Sequence, residues 1–192
     1  MIQNVSKMHK ISRFRRYFPQ KCTKNHKKCA KLLKGEMKMI QSVQEAPLVL
    51  TTNNSDITFL NDELKTRSAT CSGWLNHTEG TSQYTILGNG NCYQPAVYDI
   101  TFNANVTGET AGPIEIGLKE NGTPVVGASA NEVVTVGEYQ NISFTKRIRL
   151  CPRENVTISV GSIPAVSGVT PAVETVAPTI KNANLIIEKV RF

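Results

Sequence analysis

From Val97 to Thr107 the side chains alternate without a break. Tyr98, Ile100, Phe102, Ala104 and Val106 are apolar, while Asp99, Thr101, Asn103 and Asn105 between them are polar. A period of two fits a strand with one buried and one wet face and fits no helix. Ile114, Ile116 and Leu118 repeat it, and Glu120-Asn121-Gly122 is a hairpin turn, because Asn and Gly tolerate positive φ. Its partner strand is expected from about Val125. Asn141 to Cys151 places Ile142, Phe144, Ile148 and Leu150 on one face, with Lys146 as the misfit, which predicts a bulge or an edge position.

Val156, Ile158 and Val160 follow Pro152, Ala183 to Phe192 closes the chain, and Ile57–Leu60, Ser72–Asn76 and Gln83–Leu87 read as shorter strands. About eight to ten short strands at this spacing, with no amphipathic helical window, predict an all-β fold, an antiparallel sandwich or jelly roll.

The first 38 residues do not share the pattern. Of 22 Lys and Arg in the 192-residue chain, 12 lie there beside a single acid, Glu36, so the net +7 divides into +11 before Met39 and −4 after it. Three segments are expected: a non-globular basic extension over 1–38, a lead-in over 39–54, and the jelly-roll domain over 55–192. Lys34-Gly35-Glu36 can be encoded by a purine-rich run containing AGGAG, the complement of a bacterial ribosome-binding site, with Met37 and Met39 just downstream. Met39 is therefore expected as the true start; the alternative is a functional basic arm, disordered and solvated. Such an arm could neutralise phosphates, with Phe14, Tyr17 and Phe18 to stack on bases. That nucleic-acid reading ranks below the others, since the body is mildly acidic.

No apolar run approaches the roughly 20 residues of a membrane-spanning helix. Nor does one make the h-region of a Sec signal peptide: Lys31-Leu32-Leu33 and Leu48-Val49-Leu50 are too short. The body has three cysteines, Cys71, Cys92 and Cys151, an odd number that favours free thiols and cytoplasmic assembly, with a Cys71–Cys92 bridge as the alternative.

Residues 161–180 read as a long loop punctuated by Gly and Pro but rich in aliphatics. It could fold over the sandwich edge or be covered by a neighbouring subunit. The closing strand has Leu185, Ile186 and Ile187 in succession, then Val190 and Phe192, so both of its faces are apolar in the first half. One face meets the core and the other needs a second cover. These five residues are the candidate oligomer interface.

Chemistry is hard to assemble from this composition. His77 is the body's one histidine, and no Gly-x-Ser-x-Gly elbow accompanies it, so no catalytic residue is assigned and the chain is expected not to be an enzyme. His77 and Glu79 with Cys71 fall short of the four ligands of a closed metal site, and Cys22, His26 and Cys29 are three at unhelpful spacing. No metal and no cofactor is expected. His77 reads as a strand-end residue facing water or a subunit seam, and Asp62 and Glu63 as a solvated loop. Trp74, His77, Tyr84 and Tyr93 are the candidate ligand contacts, with Trp74 in the core as the commoner outcome for that residue type.

The strand order and spacing, the Gly88-Asn89-Gly90 turn followed by Tyr98-Asp99-Ile100-Thr101-Phe102, and the apolar closing strand resemble the C1q/TNF-like jelly roll. They are especially similar to its compact versions in bacterial spore-surface glycoproteins and in phage or prophage virion proteins. Over roughly residues 45–192, the resemblance implies a ten-stranded sandwich that forms homotrimers about a threefold axis, with the closing strand near that axis. It also implies a structural or adhesive role on a virion or bacterial surface. Partners would be other copies of the chain, other virion proteins, or a host-surface glycan or protein. The sequence lacks the Gly-X-Y stalk preceding many such domains, which favours the virion version over a spore-coat or cell-surface adhesin.

Overall fold

The structure, a computed structural model, describes residues 38–51, 55–66, 73–90, 94–163 and 176–190. Its strands are β1 (Lys38–Gln44), β2 (Leu48–Val49), β3 (Asn61–Lys65), β4 (Leu75–Asn76), β5 (Tyr84–Leu87), β6 (Ala96–Gly108), β7 (Gly112–Glu120), β8 (Thr123–Val134), β9 (Gln140–Leu150), β10 (Asn155–Ser162) and β11 (Pro178–Val190). They form two antiparallel sheets. The first runs β3-β1-β11-β6-β9, with β2 also on β11, and the second runs β4-β5-β10-β7-β8. The fold class is all-β, an antiparallel jelly-roll sandwich.

The alternation read from the sequence is what the two sheets bury. Tyr98, Ile100, Phe102, Ala104 and Val106 face Ile114, Ile116, Leu118, Val156, Ile158 and Val160 across one core. Each large aliphatic or aromatic side chain removed from water contributes about 1.5–3 kcal/mol. Asn121 and Gly122 take φ of 50° and 80°, the tight turn that the β7–β8 hairpin requires. The Asn121 side-chain oxygen also accepts from the Thr157 amide at 3.0 Å, which ties the turn to β10.

Lys146 sits where its misfit placed it. β9 is an edge strand, its register with β6 runs without interruption from Ala96↔Leu150 to Val106↔Gln140, and Lys146 Nζ donates to the Val126 carbonyl at 2.8 Å. The edge explains the lysine; no bulge is needed.

Three stretches differ from expectation, and one of them is Ile57–Leu60, which forms no strand but only an isolated bridge from Phe59 to Thr81. Residues 38–49, expected as the end of an extension and a lead-in, supply β1 and β2, and β1 pairs with β11 over seven residues, from Lys38↔Lys189 to Gln44↔Ala183. The closing strand starts at Pro178, not Ala183, and its register shifts between Lys181 and Asn184, where Asn182 has φ 52°. Cys71, Cys92, Tyr93, Phe192, the 1–37 extension and residues 164–175 lie outside the described residues; Cys151 is a free, exposed thiol. Among the described residues no helix is long and apolar enough to cross a membrane.

Candidate functional site

β3 and β4 are edge strands of opposite sheets, and the chain joins them through side chains. β3 carries Asp62 in register with Ser42 on β1, so the carboxylate meets the Ser42 hydroxyl, which donates to Asp62 Oδ1 at 2.5 Å. His77, just after β4, brings its Nδ1 to 3.0 Å from Oδ1 and 3.1 Å from Oδ2 of the same carboxylate. Lys65 Nζ lies 3.2 Å from Oδ2 and also donates to the His77 carbonyl at 3.0 Å. The imidazole stacks on the Tyr84 ring, with centroids 3.8 Å apart and planes 9° from parallel. The His77 side chain is 0% exposed and that of Asp62 3%.

These positions correct two expectations. His77 does not face water or a seam: its ring is enclosed between Tyr84 and Asp62. Asp62 is not in a solvated loop but on a strand, aimed inward; Glu63, at the β1–β3 register shift, is exposed. Burial works to raise the Asp62 pKa, but hydrogen bonds from Ser42 and His77, the His77 charge and Lys65 outweigh it, and the net shift is downward. Burial pushes the Tyr84 phenol up; the Asp62 charge adds to this and the neighbouring Ser42 hydroxyl opposes it. Ser42 is near enough to affect Tyr84, yet Tyr84 Oη has no partner in hydrogen-bond geometry.

Chemically the cluster is a lock. A nucleophilic triad needs the hydroxyl on the histidine and the acid behind it, whereas here Asp62 stands between Ser42 and His77. Among the described residues no three His, Cys, Asp or Glu side chains gather as metal ligands.

Outside the lock lies an open groove of about 470 Å³. Its lining carries the hydroxyls of Thr58, Thr78, Thr81, Ser82 and Thr85, the carboxamides of Asn76 and Gln83, and, beside them, His77 and Gly80. Thr85 and Gln83 point outward because Tyr84 and Ile86 on β5 point in.

The four ligand-contact candidates part company. Trp74 is core, stacked on Tyr98 at 6.3 Å, with its carbonyl 2.8 Å from the Tyr98 hydroxyl. Tyr84 is core as well, so neither ring is open to a ligand. His77 alone borders the groove, and Tyr93 is outside the described residues. The threonines that line the groove gave no signal in the sequence, since outward Thr is ordinary on any strand.

The interface candidates divide too. Leu185, between Ser42 and Phe102, and Ile187, between Ile40 and Ile100, are buried in the monomer core, so they have no surface left for a partner. Ile186 and Val190 lie half-buried on the outer face of the first sheet. Lys189 shares the inner face with Leu185 and Ile187. Its Nζ reaches Asn89 Oδ1 at 2.7 Å and lies 5.6 Å from the Tyr98 ring centroid.

With this architecture in view, solved structures supply a match. The globular domain of a zebrafish complement 1qA protein superposes with a TM-score of 0.51 at 12% identity, covering 80% of this chain and 95% of that one. The fold is the C1q/TNF-like jelly roll. Murine APRIL is also similar, at a TM-score of 0.45 and 7% identity, over 81% of this chain and all of that one. No protein-family model matches the sequence, and comparison with curated proteins gives no match.

Proposed function

We propose that the chain is a non-enzymatic structural or adhesive module that works as a homotrimer, displayed on the surface of a phage or prophage particle after cytoplasmic assembly. The observation that carries the trimer is the outer face of the first sheet. Met39, Ile186 and Val190 lie there half-buried around Val97, which is opposite Val190 and itself buried, and covering their remaining apolar surface with a second copy removes it from water. A second apolar surface lies at the β8–β9 edge, where Val126 is 91% exposed and Val133, Val136 and Tyr139 are also open. Two different patches on one chain suit a head-to-tail interface, and such an interface gives a closed ring when its rotation closes. Threefold closure is what the C1q/TNF resemblance implies.

The virion setting is carried over from the resemblance to the compact jelly rolls of phage and prophage virion proteins. Gene neighbourhood tests it: portal, capsid and tail genes beside this one are expected, and sporulation genes there would move the module to a spore coat. Chemical cross-linking of the full chain tests the ring. A band series that stops at three chains is expected, and an open ladder would contradict closure.

A further inference from the structure

We propose that the groove beside His77 binds a neutral saccharide unit. This deepens the adhesive half of the function proposed above and rests on it. The groove, at about 470 Å³, falls in the size range of small-molecule sites. Its lining selects the ligand by elimination. Among the described residues no Asp, Glu, Lys or Arg lines it, so a charged group would leave water without gaining a counter-charge there. The nearby charges are already engaged: Asp62 with His77, Ser42 and Lys65, and Glu79 Oε1 with the Asp62 amide at 3.2 Å. An apolar ligand would strand the hydroxyls and carboxamides of the wall without partners.

A polyhydroxyl ligand suffers neither penalty. Hydroxyls donate and accept, and carboxamides offer both kinds of group at fixed spacing. Among the described residues the side chains of Thr58, Asn76, Gln83 and Thr85 make no hydrogen bonds within the chain, so this capacity is free for a ligand. Thr81 is different: its hydroxyl donates to the Thr78 carbonyl at 2.6 Å and shapes the turn that forms one wall. The wall at His77 is held in place because the ring behind it is clamped between Asp62 and Tyr84, and a preformed site loses less ordering entropy on binding.

The test is saturation-transfer NMR on the full chain with D-glucose, D-galactose and N-acetyl-D-glucosamine, and with N-acetylneuraminic acid and glucose 6-phosphate as charged probes. At least one neutral sugar should bind, and more tightly than either charged probe. Gln83→Ala with Thr85→Val, two outward β5 positions, should weaken it by about tenfold or more while leaving the melting temperature near that of the parent. The proposal is overturned if no neutral sugar gives transfer at tens of millimolar, if a charged probe binds best, or if the double variant binds as before. Light scattering on the same samples separates the two ideas: a trimer that binds no sugar removes this site alone, and a monomer removes the assembly.

Discussion

His77 and Asp62 hold two sheet edges together in a place where neither tolerates losing the other. Asp62→Asn keeps the shape but removes the charge that Ser42, His77 and Lys65 all address, and should cost about 2–3 kcal/mol in denaturant unfolding at pH 7. The pH dependence has a definite sign. The folded pKa of Asp62 is depressed, so its stabilisation is complete above the ordinary carboxylate value of about 3.9 and is lost as pH falls through the lower folded value. Melts from pH 7 to pH 2 should therefore show parent and Asn variant converging at the acid end. Lys189 gives a slope of the same sign in a different window, for the opposite reason: its charged form is the one the fold disfavours. Burial first, and then the Lys38 charge opposite it in the sheet, bring its amine down to about 8. Stability should rise as pH increases from about 8 toward the ordinary lysine value of about 10.4, and NMR titration of labelled lysines should find one midpoint well below the rest.

At the scale of elements, the segment before β3 straps the second sheet. Ile57 donates its amide to the Val160 carbonyl, Ser162 donates to the Ser55 carbonyl, and Asp56 meets the nearly buried Lys119 of β7 at 2.7 Å. Gly161 is what lets the strap approach: a Cβ there would stand 2.0 Å from the Ser55 oxygen and 2.7 Å from the Asp56 Cα. Gly161→Ala should destabilise by about 1–3 kcal/mol or more. Asp56→Ala should cost about 3 kcal/mol because it leaves Lys119 alone at 2% exposure, whereas Lys119→Met should cost less, because the Asp56 carboxylate it leaves unpaired is 23% exposed and can be solvated. Chemical denaturation of the three variants distinguishes these outcomes.

The same scale shows what the sequence could and could not announce. β6 and β7 declare themselves because each puts one unbroken apolar row into the core, and β9 does so with a single interruption at Lys146. β1 does not, because its inner row is Ile40, Ser42 and Gln44; β3, Asn-Asp-Glu-Leu-Lys, has no strand former facing in. The polar residues that hide these two strands are those that build the Asp62 lock. A buried network of long-range pairs, 20 residues apart for Ser42 and Asp62, leaves no local period to read.

For the whole molecule, the closing strand organises both the core and the proposed assembly. Its odd-numbered residues from Leu185 to Lys189 serve the interior, while Ile186 and Val190 remain on the outer face. Charge placed there should break contacts between copies without disturbing the core, so Val190→Glu should dissociate the assembly and leave the far-ultraviolet spectrum of the sandwich unchanged. The most direct measurement is the mass of the full chain in solution by light scattering at micromolar concentration. Three times the 21.1 kDa of one chain is the predicted result, falling to one chain in Val190→Glu. A parent protein that scatters as a single 21.1 kDa chain would contradict the account.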